Sequence, residues 1–164
     1  MGAEYSISIP TKPYLKRYLQ TLYGNPLVLS QQNLFGLSLI AFMDRKFYFR
    51  QNVELVHKAF DVFDEQLEIF LPRWWMLQSH YGTDLPAQNI ILINKLFEKN
   101  FEKDLSHYCI LKSGTIKNRI EEFCNFHHIE VGNEDTDHIS FEALIKKEYR
   151  LRKNLQNVYC KVVR

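Results

Sequence analysis

The side chains in this sequence that are best suited to bind a charged group lie near its C-terminal end. Residues 146–164 contain seven lysines and arginines and one carboxylate, Glu148, although the whole chain has a formal net charge of only +2. Such a concentration of positive charge attracts phosphate backbones without reading sequence. The cations would equally suit the end of a helix, where they complement the helix dipole. The residues that we predict to contact DNA phosphates are Lys146, Lys147, Arg150, Arg152 and Lys153.

A second group that could do chemistry is Cys124 with His127 and His128, because thiolates and imidazoles are zinc ligands. The spacing Cys-x-x-His-His lacks the second half of any standard zinc site. A core cysteine beside surface histidines is the simpler interpretation, and we predict neither a metal nor a cofactor.

Two carboxylate clusters have the residue types that a two-metal nuclease uses. Both also have the composition of solvated connectors, and the chain has neither a glycine-rich phosphate loop nor a Gly-x-Ser-x-Gly turn. We therefore predict that the protein is not an enzyme. The clusters are Asp61, Asp64 and Glu65, and Glu134, Asp135 and Asp137.

The elements that must position the cations begin in residues 5–47, which have the pattern of a strand followed by two helices. Polar and apolar residues alternate from Ser6 to Ile9, which is the period of a strand with one buried face. Pro10 is expected to end this strand because proline cannot donate to a ladder. Thr11 is the expected N-cap of the first helix.

The first helix is predicted to have Pro13 in its first turn and Gly24 just past its last residue. The same succession of strand, proline, helix, glycine and helix occurs again in residues 66–101, with a first helix that is four residues shorter. The second helices begin alike, with Leu-Ser-Gln-Gln-Asn at 29–33 and Leu-Pro-Ala-Gln-Asn at 85–89. The pattern favours an internal duplication, although strand-helix-helix is common enough to occur twice by chance.

A strand, a helix, a short turn and a second helix resemble the ribbon-helix-helix DNA-binding proteins of the Arc and MetJ type. In that family two such units pair their strands antiparallel, and the resulting ribbon enters the DNA major groove. The resemblance implies that this chain supplies both strands, from copies at about 5–47 and 66–101. It implies a mainly α protein with a short two-stranded antiparallel ribbon, an α+β class, in which C-terminal helices follow the duplicated core. The chain as a whole also resembles small proteins of bacterial mobile elements.

The resemblance also implies which strand residues face DNA. The implied reading face consists of Glu4, Ser6 and Ser8 in the first copy and Gln66, Glu68 and Phe70 in the second. The family's reading face usually carries Arg, Lys, Asn or Gln, whereas this one includes two glutamates and a phenylalanine. Glutamate facing phosphate is repulsive, which leaves open whether the ribbon contacts DNA or keeps only the fold. The strand residues that remain as candidate DNA contacts are Ser6 and Ser8.

The predicted organisation is a duplicated core in residues 1–108 and a C-terminal helical region in residues 109–164. The C-terminal region is predicted to contain an amphipathic helix at 115–128, a polar loop at 130–138 and a basic last helix from 141 to about 156. This loop is too long for a helix-turn-helix.

Composition excludes a disordered chain, because 46% of the residues are apolar and 14% are aromatic. The longest strongly apolar run, about residues 34–43, is too short to span a bilayer, so no membrane partner is predicted. Three scattered cysteines, Cys109, Cys124 and Cys160, indicate free thiols in a reducing, cytoplasmic compartment.

Two functions are consistent with these patterns. The first is a non-enzymatic DNA-binding accessory or regulatory protein that contacts double-stranded DNA through the basic last helix and the paired ribbon. The second is a protein-protein interaction module that partners a mobile-element or replication protein through aromatic side chains. The sequence leaves a homodimer open in either case.

Overall fold

The computed structural model describes residues 5–32, 34–44, 60, 62–74, 85–132 and 139–162, and within these it describes the side chains of all but Leu34, Asp44 and 154–162. This part of the chain is mainly helical and contains small β-sheets, which confirms the predicted α+β class. The chain forms two compact units, Met1–Phe97 and Glu98–Arg164. The elements in order are β1 (Tyr5–Thr11), α1 (Pro13–Tyr23), β2 (Leu27–Val28), α2 (Leu34–Asp44), β3 (Glu65–Leu71), α3 (Ala87–Leu111), α4 (Ile116–Phe126), β4 (Val131–Gly132), β5 (Ile139–Ser140) and α5 (Phe141–Val162).

The sheet of the first unit is built on the predicted ribbon. β1 and β3 pair antiparallel over their full length, and Ser8 lies opposite Glu68 at the centre of the ladder. The prediction of only two strands was wrong, because β2 adds a short parallel strand on the far side of β3. Leu27 of β2 is 2% exposed, so the chain that leaves α1 returns to cover the sheet edge with an apolar side chain.

The end of β1 differs from the prediction. β1 continues through Pro10 to Thr11, which is possible because it lies at the edge of the sheet, where a residue without an N–H is tolerated. Thr11 is fully buried rather than a helix cap, and the N-cap of α1 is Lys12, which makes no side-chain cap hydrogen bond. Pro13 is the first residue of α1 and Gly24 follows its end with a φ of 92°, both as predicted.

The core of the first unit lies on one face of the sheet. The alternation in both strands is confirmed, because every inward apolar side chain is at most 3% exposed. α1 covers this face with its own apolar stripe, and aromatic rings extend the core from Tyr23 through Phe35 to Phe97, with centroid separations of 4.4 and 5.7 Å. The inward strand residues are Ile7, Ile9, Leu67, Ile69 and Leu71.

A buried amide joins α3 to the end of β1. The Asn94 side chain is 3% exposed; its Oδ1 accepts a 2.6 Å hydrogen bond from the Thr11 hydroxyl, and its Nδ2 donates to the carbonyl of Pro10 at 2.8 Å. Nδ2 also donates to the carbonyl of Ile90 within the helix at 3.0 Å. Buried polar groups are stable only when they are paired in this way, so Asn94 fixes α3 to the turn where the strand becomes α1.

The second unit packs the end of α3 against α4 and α5. Phe123 of α4 is 2% exposed, and its ring lies edge-on to Phe101 of α3 at a centroid separation of 5.6 Å. Leu144 is the fully buried residue through which the first turn of α5 joins this core. The amphipathic helix predicted over residues 115–128 is therefore confirmed by α4.

The helices of the second unit begin at side-chain caps. The Thr115 hydroxyl accepts from the N–H of Asn118 at 3.3 Å, and the Ser140 hydroxyl accepts from the N–H of Ala143 at 3.3 Å. α5 continues to Val162, beyond the predicted end near residue 156. β4 occupies part of the predicted loop, where it pairs parallel with β5.

Several predictions fall on residues outside the described ranges. These are Glu4, most of the connector between the two copies, the greater part of the first helix of the second copy, and the acidic part of the loop at 133–138.

The buried thiols give a direct test of the core of the second unit. Cys109 and Cys124 are free and buried, and burial is the main cause that raises their pKa values to about 11 and about 12. Because the thiolate is the reactive form, we expect neither to be alkylated by iodoacetamide at pH 8 until the protein unfolds. Mass spectrometry of the labelled peptides across a urea series measures this. Labelling of either peptide in native buffer at the rate found in 6 M urea would contradict the packing.

Candidate nucleic-acid interface

The exposed face of α5 carries most of the predicted phosphate contacts. Leu144 and Glu148 are buried, which turns the opposite side of the helix to solvent. Exposed positions therefore recur at intervals of three or four residues, as one helical face requires. The residues on this face are Glu142, Ile145, Lys146, Tyr149, Arg150 and Lys153.

A groove of about 340 Å³ lies beside this face, between α3 and α5. Four cations and one carboxylate line it, so it carries positive charge even with its own acidic group ionised. A recess of this charge suits an anion such as a phosphate. The lining residues are Lys99, Glu102, Ala143, Lys146, Lys147, Arg150 and Leu151.

The Glu102 carboxylate is held between two of the groove lysines. Its Oε1 lies 2.7 Å from Lys147 Nζ and its Oε2 lies 2.9 Å from Lys99 Nζ, and its side chain is 14% exposed. Burial opposes ionisation here, but the hydrogen bonds from Lys147 and Lys99 outweigh it and lower the pKa of Glu102. The carboxylate is therefore charged at neutral pH and pairs with both ammonium groups; the Lys147 side chain is 22% exposed and the Lys99 side chain is 77% exposed.

The remaining predicted cations differ in how strongly they are held. Lys146 Nζ lies 3.5 Å from the carboxylate of Glu142, but both side chains are more than 60% exposed, so the pair is weak. Arg150 and Lys153 are exposed, and neither forms an ion pair with another side chain in the described part of the chain. These three cations are the ones most available to a phosphate.

Arg152 lies apart from the exposed face. Its Nε is 3.6 Å from Oε1 of Glu148, whose side chain is only 4% exposed. A buried carboxylate is costly unless a cation balances it. Arg152 therefore serves the core of the second unit, which the spacing of charges along the sequence did not reveal.

Lys99 and Glu102 were not predicted from the sequence to take part in this site. Both lie on α3, and Glu102 is 45 positions from the lysine that it contacts on α5. No local pattern joins residues at this separation, and the pairing becomes visible only when the two helices are packed together. Tyr149, an aromatic residue interleaved with these cations in the sequence, is 54% exposed on the same face of α5.

Ser6 and Ser8 belong to the first unit, on the outer face of the sheet. Both are exposed, and the Ser8 hydroxyl donates a 3.0 Å hydrogen bond to Oε1 of Gln66 on the neighbouring strand. β1, β2 and β3 contain no lysine or arginine. The outer face instead presents Glu68 and the neighbouring side chains of Val28 and Phe70, so it has no strand cation with which to neutralise phosphate.

Candidate zinc ligands and a candidate nuclease carboxylate within the described ranges have other contacts in the structure. Cys124 and His127 are buried, and the His127 ring lies 4.5 Å from the ring of Phe123, so His127 is a core residue rather than the surface histidine that we predicted. Glu65 forms an ion pair with Lys16. In the described residues, no group of three or more histidine, cysteine and carboxylate side chains is arranged to hold a metal ion.

The length and composition of the helices can be compared with what a membrane-spanning helix needs. None of the helices within the described ranges combines the length and the apolar composition that crossing a bilayer requires.

No similar protein adds to this description of α5 and its groove. Comparison of the chain with family models, curated proteins and solved structures finds no match.

Proposed function

We propose that this protein is a non-enzymatic DNA-binding accessory or regulatory protein that holds the backbone of double-stranded DNA against α5. The observation that carries the proposal is the placement of Lys146, Arg150 and Lys153 on one exposed helix face beside a groove with further cations. Contacts of this kind neutralise phosphates and position the protein on the duplex without reading bases.

The dimensions of the basic face suit a duplex. From Lys146 to Lys153 the helix rises about 10 Å, at about 1.5 Å per residue. One DNA strand presents a phosphate about every 3.4 Å along the helix axis. The face therefore spans about three phosphates, which equals the number of its exposed cations. Tyr149 between them offers a ring that can pack on a sugar or an unstacked base.

A duplicated ribbon-helix-helix core is the second part of the proposal. β1 and β3 have nearly the same burial pattern, and their residues correspond at a constant offset of 60, with Ser8 and Glu68 opposite each other. The same offset relates Pro13, where α1 begins, to Arg73, which is also helical. A pseudo-twofold axis through the centre of the ladder is what two copies of one unit would produce.

The test is fluorescence anisotropy of a labelled generic duplex titrated with the protein at several salt concentrations. We expect binding whose logarithm falls linearly with the logarithm of the salt concentration, with a slope of about −3 if three phosphates are neutralised. Competition with unlabelled duplexes of other sequences should displace the probe equally. Absence of binding at 20 mM salt would overturn the proposal.

The outer face of the sheet favours a protein contact as a second function. Val28 is 61% exposed and lies beside Phe70 in the ladder, on a face whose strands have no cations. Apolar side chains grouped on a surface are typical of a protein interface. The partner would be a mobile-element or replication protein, or a second copy of this chain. Light scattering of the wild-type protein and of Val28→Asp would separate these, since only a homodimer is expected to dissociate.

A further inference from the structure

The groove between α3 and α5 contains an arrangement that the proposed function does not require. Glu102 places one carboxylate oxygen on Lys147 and the other on Lys99, at 2.7 and 2.9 Å. Two oxygens of one phosphodiester could take the same two ammonium groups. Lys146 and Arg150 line the same groove and are not neutralised by Glu102.

We propose that this groove is a seat for one backbone phosphate of the DNA and that Glu102 occupies the seat in the free protein. Binding of a phosphate requires the carboxylate to release Lys147 and Lys99, so Glu102 competes with the ligand for the same cations. This inference rests on the proposed function. It adds a specific site for one phosphate, called the seat below, and an internal competitor for that site. By pairing with Lys147, Glu102 lowers the affinity of the protein for DNA.

The burial of the carboxylate distinguishes Glu102 from an ordinary surface pair. The Glu102 side chain is 14% exposed and that of Lys147 is 22% exposed, so little water screens their attraction. Glu121 on α4 is the opposite case, because its partner Lys117 lies outside the groove and its own side chain is 49% exposed. The two glutamates therefore form a matched pair: each substitution by glutamine changes the net charge equally, and only one removes the competitor.

The experiment measures duplex affinity for the wild-type protein, Glu102→Gln and Glu121→Gln at 50 mM salt. We expect Glu102→Gln to bind about tenfold more tightly, because a like charge leaves hydrogen-bond distance of the phosphate seat. Glu121→Gln is expected to change affinity by less than about twofold, since this carboxylate lies outside the groove and the α5 face and its exposed ion pair contributes little. An equal gain in duplex affinity for the two variants would overturn the proposed phosphate seat, because it would show that only the net charge of the protein matters.

A second comparison asks whether Glu102 masks Lys147. Lys147→Gln is expected to weaken binding only about threefold in the wild-type background and about tenfold or more in the Glu102→Gln background, because only there is the ammonium fully available. A loss of the same size in both backgrounds would contradict competition. Weaker binding by a folded Glu102→Gln variant would also overturn the proposal, since the carboxylate would then be a support for the lysines.

The outcome can be separated from failure of the proposed function. If the wild-type protein shows no salt-dependent binding, the DNA proposal fails and the seat fails with it; if the wild type binds and the glutamine variants are alike, only the seat fails. Circular dichroism establishes folding of each variant. Should Glu102→Gln not fold, Lys147→Gln is compared with Lys117→Gln, an exposed lysine on α4. Equal affinities for these two variants would overturn the seat.

Discussion

Replacement of Lys146, Arg150 and Lys153 by glutamine is expected to weaken duplex binding about a hundredfold at 50 mM salt. All three side chains are exposed on one face of α5, and each phosphate contact that is lost removes about 0.9 from the magnitude of the salt slope. The slope should therefore become shallower by about 2.7. Anisotropy titrations across a salt series measure the affinity and the slope together.

The control for this variant removes the same charge elsewhere in the second unit. Lys103 is exposed on α3, Lys112 just after the end of α3, and Lys117 on α4. Their joint replacement by glutamine should weaken binding by less than about fivefold and leave most of the salt slope unchanged. Arg152 is left unchanged in both variants, because its loss would leave the buried Glu148 without its cation. Equal losses in the two triple variants would contradict an interface on α5.

Substitution of Asn94 by leucine is expected to lower the free energy of unfolding by about 2–4 kcal/mol. The side chain is 3% exposed and is the hydrogen-bond partner of both the Thr11 hydroxyl and the Pro10 carbonyl. Leucine has a similar volume, so the cost comes from two buried polar groups that lose their partner rather than from a cavity. Urea denaturation followed by circular dichroism gives the change.

A double-mutant cycle with Thr11→Val tests the assignment of this cost. The two substitutions together should destabilise the protein less than the sum of their separate effects, because each removes the same hydrogen bond. Asn125→Leu, at an exposed position on α4, is expected to change stability by less than about 0.5 kcal/mol. An Asn94→Leu variant as stable as the Asn125→Leu variant would show that the buried amide does not hold α3 to the strand.

The sequence allowed prediction of features that depend on local periodicity. Ile7 and Ile9, like Leu67 and Ile69, alternate with polar residues, and this alternation alone determines which side of a strand is buried. Pro13 and Gly24 marked the ends of α1 for equally local reasons, since one has no N–H to satisfy and the other accepts a positive φ. Such signals require no knowledge of what packs against the element.

Features that depend on the neighbouring elements could not be predicted. Pro10 ends a central strand but is tolerated in an edge strand, and the sequence does not state the strand order. β2 is two residues long, too short to show any period. In the candidate site, the separation of Arg152 from Arg150 depends on which side of α5 meets the core, and the contact of Lys147 with Glu102 depends on the packing of α5 on α3.

The pairing of β1 with β3 also determines the order in which the chain is expected to fold. Residues about sixty positions apart must meet before the first hydrogen bond of this ladder can form, and closing so long a loop costs chain entropy before any contact repays it. The backbone hydrogen bonds within α3, α4 and α5 join residues four positions apart, and proteins rich in local contacts fold faster. Helical structure in residues 98–162 should therefore return early after dilution from denaturant, and the sheet should set the rate of the final step.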